Sequence, residues 1–345
     1  MLGLPQFKAM LLLYAICLTS TITSKWPGGS WRFVSVNVTS IVLLAWFVSI
    51  SCSSWKMTRK INNSLVVLSL LLSITTVAKY VGGRASIIGT AYDPNDLAFV
   101  LVVLMPFVYY RSLRAKGVIT KMVLYCILLL DVYTIILTQS RGGLLGLIIV
   151  AFFIIVIERQ KRILLVLAGS VVGIIMYSFV PEEFISRVYM IGNRSRDYNI
   201  SATEGRLEIW KRGVGFMFQY PLLGVGPNSF STADGESRGG TGKWSVAHNS
   251  FIQIGAELGI IGFVTFVYMI VSCVKSLRIL RLNMQAGSQE YTDLCAIEVA
   301  FYGYAVSGFF LSQGYSALLY ILIGLSGGTA YRSDRVLTRP CLTRD

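Results

Sequence analysis

The sequence predicts an all-α polytopic integral membrane protein, and three observations carry that fold class. Hydrophobic residues make up 54% of the 345 residues, charged residues only 14%, and the mean hydropathy is +0.64. A soluble domain carries about 25% charged residues, so this chain is short of polar surface. Apolar runs repeatedly reach about 18 residues, the length at which a helix crosses a bilayer. The basic residues gather in short segments between those runs. Alternating strand patterns of the kind that build an outer-membrane barrel are absent.

Run length places about ten spans, near residues 4–23, 33–54, 61–80, 96–110, 119–139, 142–157, 163–180, 249–274, 294–312 and 315–331. One long polar insertion, residues 181–248, separates the seventh span from the eighth. The expected division is therefore a membrane bundle over 1–180, the loop over 181–248, a second set of spans over 249–331 and a tail over 332–345. Loop charge orients the bundle. With the N-terminus inside, the cytoplasmic loops carry Lys56, Arg59 and Lys60; Arg111, Arg114, Lys116 and Lys121; Arg159, Lys161 and Arg162; and Lys275, Arg278 and Arg281. The short outer loops carry few basic residues, so both termini are expected in the cytoplasm and the long loop outside, in the periplasm. The first span is expected to be retained, because Lys8 alone precedes it and no A-x-A cleavage pattern follows.

The net charge of +14 has the positive-inside pattern and lacks the aromatic interleaving of a nucleic-acid surface, so no nucleic-acid partner is expected. Six cysteines fit no zinc or disulfide spacing, and one histidine cannot complete a conventional transition-metal site. No metal or other cofactor is expected.

The candidate chemistry lies on the outer side. Arg141, in TQSRGGLLG, stands between two spans. It reads equally as an interfacial anchor or as an anion-binding group, with Gly142 and Gly143 leaving room for a phosphate beside a helix N-terminus. Within the loop, Leu207, Trp210, Val214 and Phe218 recur at helical spacing, which predicts an amphipathic helix that opens at Arg206 and ends at Pro221. Lys211 and Arg212 on it are expected to meet lipid headgroups, with Arg212 also a candidate for the substrate. The Gly-, Ser- and Thr-rich run from Asp234 to Trp244 predicts a mobile loop, a candidate lid. His248, the sole histidine, follows at the water interface with Asn249 beside it. A lone histidine is ordinarily structural; here, at the mouth of a span, neutral imidazole can also take a proton from a hydroxyl. Three acids fall within spans: Asp131, Glu257 and Glu298. Asp131 is expected to pair with a basic group on a neighbouring helix. Glu257 stands about 13 Å deeper than His248 along a helix, too far for a direct catalytic partnership. Asp93, Asn95 and Asp96 are expected to cap a span, with Asn95 and Asp96 as second-rank candidates for sugar hydroxyls.

His248, Asn249, nine residues, then Gly259 and Gly262 match the H-[NSQ]-x9-G-x-x-G signature of bacterial O-antigen ligases and related glycan polymerases. IIGTAYDPNDLAFV, TQSRGGLLGL and the stretch from EGRLEIW to GVGPNSF resemble three further segments of that superfamily, in the same order. The resemblance covers residues 85–270, although the family has about twelve spans. It implies a GT-C-like, metal-independent membrane glycosyltransferase of the bacterial inner membrane. The donor it implies is an undecaprenyl-diphosphate-linked glycan. The implied acceptor is a hydroxyl of another glycan, of lipid A–core or of a protein, which places the reaction in lipopolysaccharide, exopolysaccharide or capsule synthesis. Carried onto this chain, Arg141 and Arg206 would grip the diphosphate and His248 would deprotonate the acceptor. Arg84, Asn95, Asp96, Arg212, Asn249 and Glu257 are the expected substrate-binding residues. The rival readings are a transporter or flippase of lipid-linked glycans and a structural subunit of an envelope complex.

Overall fold

The computed structural model describes residues 2–87, 93–177, 180, 185, 205–240 and 244–338, the last six of these by backbone alone. In chain order the helices are α1 (Pro5–Ser20), α2 (Pro27–Phe33), a π turn (Val34–Val38), α3 (Thr39–Ser51), α4 (Trp55–Ala78), α5 (Pro94–Leu113), α6 (Val118–Leu137), α7 (Arg141–Ile157) and α8 (Arg162–Tyr177). After the insertion come α9 (Arg206–Gln219), α10 (Phe230–Ser237), α11 (Ser250–Leu282), α12 (Gln289–Gly308) and α13 (Ala317–Thr338). No β-strand occurs among the described residues. The chain is a helical multi-pass membrane protein.

Helix starts follow local chemistry. Pro5, Pro27 and Pro94 each open a helix, where a missing N–H costs nothing. Asp93 caps α5 by accepting from the N–H groups of Asn95 (2.7 Å) and Asp96 (2.9 Å), as expected. Ser140 caps α7 through the N–H of Gly143 at 3.2 Å.

Among the described residues, six helices are long and apolar enough to cross a membrane: Pro27–Ser51, Trp55–Ala78, Pro94–Leu113, Val118–Leu137, Arg159–Tyr177 and Ser250–Leu282. Ten spans were expected. Helix α7, an apolar helix of 17 residues, stands at the short end of a crossing, and α1, with 16, just below it. Helix α12 carries Glu290, Asp293 and Glu298, and it ends at Gly308 although the apolar run continues through Leu311. Residues 309–316 form turns and irregular backbone between α12 and α13.

The chain divides into two compact units that alternate along the sequence. The first comprises residues 1–58, 195–282 and 308–345; the second comprises 59–194 and 283–307. In the first, α3 packs on α13 and α1 on α11. Close approach is built from glycine: Gly324 and Gly328 of α13 meet the backbone of α3 near Ala45 and Ser49. In the second unit, α5 is central and is covered by α6 and α7. Nearly every α5 residue from Leu97 to Tyr110 is buried, as a helix apolar on all faces requires.

Asp131 of α6 does not pair with a base. It is fully buried, and both carboxylate oxygens accept hydroxyl bonds of 2.6 Å, from Ser69 and Ser73 of α4. Those serines are four residues apart and share one helix face, so two small hydroxyls do the work expected of a cation.

Candidate functional site

His248 belongs to the first unit. The helix α9 supplies one wall. It runs over the residues expected, but its buried face is Ile209, Gly213 and Phe216. Leu207 (41%), Val214 (36%) and Phe218 (68%) point away from the protein. The periodicity gave the helix; its inward face went unrecognised because glycine stands at the contact. A Cβ on Gly213 would meet Ile252 at 2.5 Å, so only glycine lets α9 approach α11 this closely. Ile209 and Phe216 then join Val225, Phe230, Ala233, Ala247 and Ala256 in a small separate core. The outward apolar stripe suits a helix lying at a membrane surface.

That core holds the segment before His248. Trp210 donates its indole N–H to the carbonyl of Ala247 at 3.0 Å and packs edge-to-face on Phe309 at 5.3 Å. Arg206 is one helical turn before Trp210, on the same face. His248 is half-buried with φ 49°, a left-handed conformation that few side chains tolerate and histidine, asparagine and aspartate tolerate best. Its backbone N–H donates to Ser312 Oγ at 2.9 Å. Asn249 then caps α11, with Oδ1 accepting from Phe251 (2.9 Å) and Ile252 (3.0 Å). The backbone bond to Ser312 and the Asn249 cap therefore hold the turn on both sides of His248.

The glycines of the motif have a mechanical role. Helix α11 breaks at Gly259, with φ 72° and ψ −173°. The Ile260 N–H bonds the carbonyl of Pro221 at 2.8 Å, and a Cβ on Gly259 would collide with that same oxygen. Glu257 is buried just before the break. Its carboxylate accepts from the N–H of Phe230 at 3.3 Å, and its carbonyl accepts from Gly226 at 3.0 Å. Glu257 thus pins the loop between α9 and α10. Gly259→Ala is expected to cost more than about 1 kcal/mol, since the left-handed angle alone costs 1–2 kcal/mol and a backbone clash is added. Thermal denaturation in detergent checks this; an unchanged midpoint would show that the break is not required.

The run expected as a mobile loop from Asp234 instead begins inside α10, and it is braced by a feature that sequence reasoning missed. Asp234 is fully buried and accepts from Arg212 Nε (2.6 Å), Arg238 (2.9 Å) and the N–H of Ser245 (3.2 Å). Asp234 in α10 and Arg238 at its C-terminal cap are four apart, a readable pair. The contact with Arg212 spans 22 residues, and no local pattern marks it. Arg212, expected at headgroups or substrate, is committed here to the fold. Residues 241–243 of the expected lid, and 181–184 and 186–204 of the long loop, lie outside the described residues.

The second unit holds the other candidates. Arg84 donates to the Thr138 carbonyl (3.0 Å) and to Asn95 Oδ1 (2.8 Å). Gln139, at φ 52°, donates to the Gly83 carbonyl at 3.1 Å. These bonds draw the segment after α4, the start of α5 and the α6–α7 corner into one cluster. Arg141 is the first residue of α7, half-buried at a helix N-terminus, where the dipole adds positive potential. Gly143 has a different role from the one expected. A Cβ there would meet Ala98 at 2.5 Å, so this glycine serves helix packing. Asp96 lies half-buried in the first turn of α5.

Residues 124–267 match the profile of a family described as O-antigen ligase. The matched stretch is shorter than half of the chain. It contains Arg141, Arg206, Arg212, His248, Asn249 and Glu257; Arg84, Asn95 and Asp96 fall before it. No curated protein matches the chain. Among solved structures, a chain in one described as "Structural coordination of polymerization and crosslinking by a peptidoglycan synthase complex" is similar in fold, with a TM-score of 0.54 at 16% identity. That likeness covers 96% of this chain and 97% of the other.

Proposed function

We propose, on the premise of the O-antigen ligase match over residues 124–267, that this protein moves a glycan from an undecaprenyl-diphosphate carrier to an acceptor hydroxyl at the periplasmic face of the inner membrane. The observation that carries the reading is that the matched stretch holds His248 on a turn fixed by its backbone N–H and by the Asn249 cap, beside the helix that opens at Arg206. In the proposed reaction His248 takes the acceptor proton. The hydroxyl oxygen attacks the anomeric carbon, and the bond from that carbon to the diphosphate oxygen breaks. Arg206 stabilises the charge that grows on the departing lipid diphosphate, a task suited to a planar and permanently charged guanidinium. Arg141 is proposed as a further phosphate-binding residue on its own chemistry, an arginine at a helix N-terminus. The acceptor is another glycan, lipid A–core or a protein hydroxyl.

The transporter reading drew on the span count and on the intramembrane acids Asp131, Glu257 and Glu298. Each acid accepts a hydrogen bond from within the fold: Asp131 from the serines of α4, Glu257 from the N–H of Phe230 and Glu298 from the Tyr302 hydroxyl. The test uses purified protein in proteoliposomes with a synthetic undecaprenyl-diphosphate oligosaccharide and EDTA. A lengthened lipid-linked glycan with donor alone identifies a polymerase. Transfer that appears only on adding lipid A–core or a protein identifies a ligase and names its acceptor. No transfer to any acceptor, from folded protein, overturns the reading.

A further inference from the structure

The second unit contains a cavity of about 440 Å³ that the proposed reaction does not use. It lies at the end of α5 opposite Arg84 and Asn95. Helix α5 has 20 residues, so the two ends are about 30 Å apart. Arg59, Arg111, Arg114 and Lys116 line it, with Tyr110 and Asp293 in the wall. Two of these cations are partly spent: Arg59 bonds Glu290 at 2.7 Å and Arg114 meets Asp293 at 3.2 Å. Asp293, 8% exposed at its side chain, is shared between Arg59 and Arg114, so four cations face two carboxylates and the site keeps a positive excess.

The wall also holds donors with nothing to donate to. Tyr110 is 1% exposed and its hydroxyl has no partner, and Arg114 Nε is buried with none. A buried unpaired donor costs about 1–3 kcal/mol, so such groups normally find a ligand or water. Gly117, which precedes α6 without a side-chain cap, lines the cavity with Thr120, so the N-terminal end of that helix borders it. Surface arginines that only anchor a membrane protein need neither a cavity nor buried unpaired donors behind them.

We propose that this cavity binds a phosphate-bearing anion, presented as a lipid headgroup or as a free phosphate. Its volume lies in the range of small-ligand sites, about 300–1,000 Å³. Arginines and a tyrosine hydroxyl supply the charge-assisted donors that phosphate oxygens accept.

The test takes the full chain in two arms. In detergent, pyrophosphate is titrated against a sodium chloride control of equal ionic strength, with thermal midpoint and native mass spectrometry as readouts. In nanodiscs, phosphatidylcholine alone is compared with phosphatidylcholine containing phosphatidic acid. Tyr110→Phe and Arg111→Gln are run beside wild type, because neither residue carries the Asp293 pairing and both variants should fold. Stabilisation by phosphatidic acid alone names a headgroup; stabilisation by pyrophosphate alone names a soluble phosphate; both together name a site that reads the phosphate itself. In each supporting case the two variants bind about tenfold or more weakly. No stabilisation in either arm overturns the proposal. So does stabilisation that the variants leave unchanged, which would mark a nonspecific ionic effect.

Discussion

Replacing His248 with asparagine is expected to slow glycan transfer by a factor of about 10²–10⁴, the usual contribution of a general base, with little change in thermal stability. Asparagine is the informative choice because of the backbone. His248 sits at φ 49°, where asparagine is comfortable and alanine is strained. The bond that holds the turn runs from the His248 N–H to Ser312 and does not involve the ring. The substitution therefore removes the imidazole and leaves its support. Initial rates in proteoliposomes, paired with thermal midpoints, separate the outcomes. A base role also predicts that the acid limb of the pH–rate profile disappears in the variant. An unchanged rate would remove His248 from the chemistry. A rate loss matched by an equal loss of stability would make the residue structural.

The largest effect on stability is expected at Asp234→Ala. Asp234 is fully buried between Arg212 and Arg238, whose side chains are 20% and 19% exposed. Removing the carboxylate leaves two largely desolvated guanidinium groups facing each other. Breaking such a buried pair costs about 3–5 kcal/mol, because the remaining charge has lost its partner. Asp234→Asn keeps an acceptor and should cost less. Arg212→Ala combined with Asp234→Ala should be less damaging than the sum of the two, since residues in one network couple. Thermal melts of the four proteins complete the cycle. Limited proteolysis should find new cuts around residues 230–249, the segment that leads into His248. Additive effects would mean that the two side chains act independently.

The outer helix shows how far a one-dimensional pattern reaches. The three- and four-residue spacing of apolar groups located α9 and Pro221 located its end. Most of that stripe faces outward, and the contact with α11 is made through Gly213, whose absent side chain leaves no hydrophobic signal. Phe309 to Ser312 were read as part of a span because the run stays apolar. The helix instead ends at Gly308, and the freed segment places Ser312 on the His248 N–H. Arg212 looked available because its partner lies 22 residues away.

What the sequence determined by itself is what rests on composition and local spacing. Apolar run length made the chain a helical membrane protein, the capping residues started its helices, and the order of four short motifs around His248 pointed to O-antigen ligases. What only the tertiary structure decided is which charges are spent. Asp131 is held by two serines, Arg212 and Arg238 by Asp234, and Glu257 by the loop it pins. The reason is physical: whether a charged side chain is free depends on partners brought near by folding across tens or hundreds of residues, and those separations leave no periodic trace in the chain.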